Sequence, residues 1–268
     1  MKKMTFAVWF TALLAVFTFS SCLNSDDNDG QRFGTEAVKV VGSLGTYEFQ
    51  TLNGFTLIPT NMSELTMDLS TRFAMIAYTF NPEQVNQTTK RVPVVMKAIL
   101  PIRSQYTNPS LNAMEKFANA PIRNITTEAS YEFFSVAFWD AKTMFLPITF
   151  FVRDLPEKEM EAEYKKHSFM VCYDINNEEN DKNTLVFHVR HNVADPDMNK
   201  ERKYRYTSNV YELDLNMALN EFQTKFGGTP RTIKLEYEEN YTGEYDHDNI
   251  KSHISEVDYE KYLQNMKK

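Results

Sequence analysis

Apolar and polar positions alternate with period two along most of this chain, which is the signature of half-buried strands. In the first block, residues 37–41 (AVKVV) predict a strand ending at Gly42-Ser43. Residues 47–52 and 55–60 flank Asn53-Gly54, and two apolar runs joined by Asn-Gly predict a hairpin with a type I′ turn. Residues 62–71 read as a connection. Residues 72–80 (RFAMIAYTF) predict a strand stopped by Asn81-Pro82, and 83–90 a polar loop. Residues 91–102 (RVPVVMKAILPI) predict a last strand, interrupted at Pro93. Five short strands over residues 35–104 suit a small OB-like barrel. An SH3-like barrel fits the pattern nearly as well.

Residues 105–122 break the alternation. Leu111, Met114 and Phe117 recur every third position between Pro109 and Pro121, so this stretch reads as an inter-domain linker carrying a helical turn. Residues 123–243 then offer strand candidates at 131–139, 144–153, 166–174, 184–193, 203–214 and 232–239. Clusters such as Asn176-Asn177-Glu178 and Asp195-Pro196-Asp197 separate them. That spacing predicts an antiparallel β-sandwich. Residues 157–165 read as a helical turn. Residues 216–226 (NMALNEFQTKF) read as a helix stopped by Gly227-Gly228. Residues 244–268 form a polar tail in which 255–266 predict a short helix, with Ser255 as its N-cap. The fold class is all-β, an OB-like barrel followed by an antiparallel β-sandwich.

The opening of the chain follows another logic. Lys2 and Lys3 precede an apolar stretch from Phe6 to Phe19, then Ser20, Ser21 and Cys22. This is the layout of a secretory signal, and it is too short for a transmembrane helix of about 20 apolar residues. A cysteine directly after small residues predicts a lipobox: cleavage after residue 21 and a lipid on Cys22. Residues 22–34 contain SDDNDG and read as a flexible acidic tether. Removing residues 1–21 takes away two lysines and no acid, so the net charge moves from −7 to −9. That balance disfavours nucleic acid, whose phosphates call for clustered Lys and Arg. Attachment to the membrane is expected through the N-terminal lipid.

The chain has 20 Phe and 14 Tyr, which favours strand-built cores. With Cys22 lipidated, Cys172 is left without an intramolecular disulfide partner, and its apolar run (FMVCY) predicts a buried, inert thiol.

Three stretches together carry a resemblance: the leader ending FSSCLNSDDND, the run VKVVGSLGTYEFQTLNGFTLIPTN, and the pair TLVFHVRHN and RTIKLEYEENY. With these, the chain resembles the NigD-like lipoproteins of Bacteroidota over most of residues 1–243. The resemblance implies an N-terminal OB-like domain, a C-terminal β-sandwich and a bacteriocin-associated immunity or accessory role. The SDDNDG stretch after Cys22 resembles the acidic surface-export signal of Bacteroidota lipoproteins, which implies outer-membrane and cell-surface placement. The tail beyond residue 243 departs from it.

Candidate chemistry is sparse. His188 and His191 lie in a strand-like run, where residues three apart point to opposite faces, so with Asp195 and Asp197 they are not expected to share an ion. They read as polar positions at an exposed strand end. Asp246-His247-Asp248 with His253 falls in the polar tail, which lacks rigid support for a site. His167 reads as a surface residue at a strand start. Asp174, Glu236, Glu238 and Glu239 read as a solvated acidic face. There is no G-x-S-x-G elbow, P-loop or H-E-x-x-H helix, so no catalytic residue, metal site or cofactor is expected. The binding candidates are aromatic: Trp139 beside Phe145, and Tyr204 and Tyr206 on one strand face, with Tyr211 further along. The expected role is non-enzymatic binding of a protein or glycan partner. An envelope-accessory subunit and an envelope hydrolase are the competing readings, the latter requiring convergent acids of perturbed pKa.

Overall fold

The computed structural model describes residues 30–43, 46–62, 72–127, 135–194, 203–240 and 249–266. They divide into two compact units at Arg103/Ser104.

In the first unit, β1 (Arg32–Ser43) pairs antiparallel with β2 (Thr46–Thr51) and with β4 (Phe73–Phe80). β2 continues to β3 (Thr56–Pro59). β5 (Arg91–Gln105) pairs antiparallel with β4 and parallel with β3, which closes a five-stranded ring in the order 1-2-3-5-4. Closure removes the free sheet edges. Val38, Phe49, Leu57, Ile76, Val92, Val94 and Met96 fill the interior. On β5 the inward positions keep period two from Val92 to Met96. A bulge opposite Ala77/Tyr78 then adds Lys97, and inward packing resumes at Ile99. Pro93 does not interrupt the strand. Thr56 N donates to Lys90 O and Thr60 N to Val94 O, so the even-numbered residues of β5 bond β3. Pairing with β4 starts only at Val95, so the N–H that Pro93 lacks is not needed on that side.

The hairpin at Asn53-Gly54 forms, but not with a type I′ turn. Thr51 N donates to Phe55 O and Gly54 N to Thr51 O, so the loop holds three residues. Gly54 alone among them has positive φ (77°), the geometry of a type I turn followed by a glycine bulge. Phe55 N also donates to the Thr51 hydroxyl, a local bond that favours the longer loop.

The second unit places two sheets around one core. One holds β12 (Tyr204–Asp214), β9 (Thr143–Arg153) and β7 (Ile122–Ile125), with β8 (Ala137–Asp140) also on β9. The other holds β14 (Ile250–Asp258), β13 (Thr232–Asn240), β11 (Thr184–Val193), β10 (His167–Cys172) and β6 (Thr107–Asn108). Ile122 pairs with both Phe150 and Glu239, so β7 joins the two sheets at a corner. Across the core the Phe150 and Phe169 rings meet at 5.0 Å, and Phe169 meets Tyr211 at 5.3 Å. The sandwich is mixed rather than purely antiparallel, because β11 runs parallel to β13. Helix α1 (Met114–Phe117) lies between β6 and β7, and α2 (Glu157–Tyr164) between β9 and β10. The third helix, α3 (Asn216–Phe226), buries Ala218 and Phe222 and ends at Gly227 in the left-handed region.

Two expectations are corrected here. Residues 105–122 are not a linker but an integral part of the second unit. Asn119 N donates to His191 O, Asn192 Nδ2 to Phe117 O, and the Asn119 amide brackets Val193 with two bonds. The polar tail is likewise built in. β14 pairs with β13 through nine consecutive residues, and α4 (Tyr259–Met266) follows it. Ser255 is a buried strand residue, and the N-cap is Asp258, whose carboxylate accepts from Lys261 N. Tyr259 and Tyr262 pack on Phe138 and donate to Ala141 O and Val136 O.

Candidate functional site

The aromatic candidates do not converge. Tyr206 is 57% exposed on the outer face of β12, opposite Phe151, and Tyr204 is half-buried opposite Arg153. Trp139 stands at the other end of β9, edge-on to Phe145 and flanked by the Phe138/Met144 and Asp140/Thr143 pairs. The stretch of β9 from Met144 to Phe151 spans roughly 20 Å at about 3.3 Å per residue, so these rings form no single platform. Tyr211 is buried in the core. On the barrel, the outward positions of β2 and β3 (Glu48, Gln50, Thr56, Ile58) are without aromatic rings, and Glu48 pairs with Arg91.

The ordered polar chemistry lies instead on β10, β11 and β13. As the spacing predicts, His188 and His191 face opposite sides of β11. Neither is exposed: His188 retains 6% of its surface and His191 2%. His167, expected at the surface, is buried too.

On the inner side, His191 lies flat on Phe169 (4.6 Å, 11°) and stacks on His167. Its Nδ1 donates to Pro121 O at 3.0 Å, so its Nε2 accepts from His167 Nδ1 at 3.0 Å. Burial pulls His191 down to about 3. Burial also lowers His167, against the opposing charge of Glu163, to about 4. Both rings are therefore neutral at pH 7. Glu163 faces His167 Nε2 at 3.7 Å and is held by the Arg153 guanidinium, whose Nε donates at 2.9 Å. Burial would raise the Glu163 carboxyl, but the hydrogen bonds and charge of Arg153 outweigh it and lower the pKa.

On the outer side, Cys172, His188 and Glu236 lie in one row across three strands. His188 Nδ1 donates to Glu236 Oε2 at 2.9 Å, Arg190 Nη2 donates to the same oxygen at 2.6 Å, and Ser252 Oγ donates to Oε1 at 2.8 Å. Burial alone would raise Glu236, yet these donors and the Arg190 charge hold it at about 2. The other His188 nitrogen, Nε2, is buried without a hydrogen-bond partner and faces Glu179 Oε2 at 3.5 Å. The Cys172 thiol is buried and its pKa is raised by that burial, as an inert cysteine requires.

His253 pairs with Glu239 at 3.2 Å on the outside of the sheet. Cys22, Asp195, Asp197, Asp246, His247 and Asp248 lie outside the described residues. Among the described residues no group of three or more His, Cys, Asp or Glu side chains is arranged to hold a metal ion. Sequence reasoning missed the His188–Glu236–Arg190 cluster because Glu236 comes from β13, some 46 positions after the two β11 residues it joins. The one local signal is the placement of two basic residues on the same face of β11.

The second unit, two sheets joined at a corner, and the closed barrel before it can be compared with solved structures. A presumed lipoprotein from Bacteroides fragilis aligns at 21% identity with a TM-score of 0.70, covering 85% of this chain and 98% of that one. The two share a fold. A protein of unknown function from Bacteroides vulgatus aligns at 9% identity and TM-score 0.50, over 84% of this chain and 90% of its own. A NigD-like immunity protein from Bacteroides caccae aligns at 15% identity and TM-score 0.48, over 84% and 91%. No protein-family model matches the sequence, and no curated protein matches it. The fold that the NigD-like resemblance implied, a barrel followed by a β-sandwich, is the fold observed.

Proposed function

We propose that this chain is a NigD-like envelope lipoprotein, anchored by a lipid on Cys22 at the outer membrane and displayed at the cell surface, that binds a protein partner and performs no chemistry on it. The observation that favours the non-enzymatic part is the state of the two acids beside the buried histidines. Glu163 is consumed by Arg153 and Glu236 by Arg190, His188 and Ser252, and both carboxyls are shifted downward. A glycosidase-type general acid needs the opposite, a carboxyl kept protonated near neutrality, and among the described residues the carboxyl shifted upward, Glu36, is hydrogen-bonded to the Tyr78 hydroxyl in the barrel. The shared fold with a presumed lipoprotein, together with the FSSC leader, supports the anchor. A protein partner is favoured over a glycan because Trp139 and Tyr206 stand far apart, whereas sugar platforms need rings that act together.

The test combines metabolic labelling with an alkyne fatty acid and protease shaving of intact cells. Label on the wild type and none on Cys22→Ala is expected, as is loss of the protein from shaved cells. Equal labelling of both forms would refute the anchor. Protection from protease would place the protein on the periplasmic face and refute display. Crosslinking on intact cells is expected to capture a discrete protein, and hydrolytic turnover of envelope glycans by the purified protein would overturn the non-enzymatic reading.

A further inference from the structure

We propose that His188 Nε2 and Glu179 Oε2 form a two-donor site for a divalent transition-metal ion of the zinc class. The argument starts from hydrogen-bond accounting. Glu236 accepts from His188 Nδ1, and that bond fixes the tautomer of the neutral ring, the form that can ligate a metal, with its lone pair on Nε2. Nε2 lies 3.5 Å from a carboxylate oxygen and has no hydrogen-bond partner. In that form two electron-rich atoms lie side by side, an arrangement that a cation between them would stabilise.

The distance fits. Imidazole nitrogen and carboxylate oxygen bind Zn²⁺ at about 2.0 to 2.2 Å, and two ligands of a tetrahedral ion at that radius stand about 3.3 to 3.5 Å apart. The support around the donor fits as well. A ligating histidine commonly hands its other N–H to a carboxylate, and Glu236 is that carboxylate, itself fixed by Arg190 and Ser252.

The second histidine site shows why the inference attaches to His188 alone. His167 Nε2 also faces a carboxylate, Glu163, but Arg153 and Lys166 both pair with that carboxylate, so the site already carries positive charge. At His188 the charge of Arg190 is spent on Glu236. Among the described residues His188 is the one basic group within ion-pair range of Glu179, and Lys225 binds the same turn at Ile175 and Asn176 instead. Two protein donors leave the remaining positions to water reaching the ion from the half-exposed Glu179 side, so the ion is exchangeable rather than structural. It would tie the turn between β10 and β11 to the sheet face beneath it.

The test is calorimetric titration of Zn²⁺ into the chelator-treated, full-length protein in detergent. One saturable site per chain is expected. Glu179→Gln and His188→Gln should each weaken it at least about tenfold, and Glu236→Gln by about 10- to 100-fold. His253→Gln should leave it unchanged. Glu179 sits half-exposed on a turn, so Glu179→Gln decides the matter if His188→Gln fails to fold. Absence of a saturable site would overturn the proposal, as would a site that survives Glu179→Gln. Nitrogen-15 spectra give an independent readout. Zn²⁺ should move the His188 Nε2 resonance and spare Nδ1, and an Nε2 that carries a proton at pH 7 and ignores Zn²⁺ refutes the assignment.

Discussion

Mild acid should unlock the His167–His191 stack. Both rings are buried and neutral, and both have folded pKa values, about 4 and about 3, well below the ordinary 6.5. Between pH 6.5 and 4 the unfolded chain therefore binds protons that the folded chain refuses. Stability is complete above pH 6.5 and falls as pH drops toward the folded values. From pH 6.5 to 5 each histidine should cost about 2 kcal/mol, at 1.36 kcal/mol per unit. The two are in contact, so their costs are not independent, and a combined loss of about 2 to 4 kcal/mol is expected. That is a large part of the 5 to 15 kcal/mol typical of a folded domain. Glu163 and Glu236 have lowered pKa values and lose their contribution only at lower pH, whereas the Glu36 carboxyl, raised by burial, adds stability as pH falls and opposes the histidine slope, so the histidine part is read from the difference between the wild type and His167→Gln. Urea denaturation followed by circular dichroism at pH 7.5, 6.5, 5.8 and 5.0 measures the slope. His167→Gln can still donate to His191 Nε2 yet cannot titrate, so it should remove about half of the slope. An unaltered slope in His167→Gln would refute the reasoning.

Three further outcomes are expected. A methyl group at Gly34 would lie 2.7 Å from the Tyr78 ring, so Gly34→Ala should destabilise the barrel by about 1 to 3 kcal/mol in thermal unfolding and disturb the bond from the Tyr78 hydroxyl to Glu36. Arg153→Ala leaves Glu163 buried with its main cation removed, and should cost about 3 to 5 kcal/mol in denaturant titration, far more than the exposed pair Lys165–Glu161 loses in Lys165→Ala. Asp258→Ala should cost about 1 kcal/mol by removing the cap of α4, a loss that Asp258→Asn restores when both are measured by chemical denaturation.

The elements that could be read from sequence are those whose own side chains dictate them. Residues 184–193 and 216–226 carry complete strand and helix patterns, and Gly227 marks the helix end through its own backbone freedom. What stayed hidden is set by distant partners. In β14 the sequence KSHISEVD buries only Ser255 and Val257, so nothing local distinguishes it from a solvated tail until β13 is beside it. Residues 105–122 have prolines and short periods like a linker, and their order comes from Asn192, His191 and Val193, some 70 positions later. The histidines read as exposed because polarity was the available cue. Their burial depends on Pro121 O, Phe169 and Glu236, which the fold brings together from separate strands. Trp139 and Tyr206 show the converse, since a shared composition of rings carries no information about the length of β9 between them.

The order in which the strands of the second unit are made has a consequence for folding. β13 lies parallel to β11, and that pairing requires β12 and α3 to be threaded between them in sequence first. β14 then follows β13 and covers its remaining edge. A chain that folds from its N-terminus as it is made thus presents β13 with one row of amides and carbonyls open until β14 arrives. During that interval residues 233–237 have one open edge, and the alternating charges of Lys234 and Glu236 are of the kind that disfavours wrong pairing with a neighbouring chain.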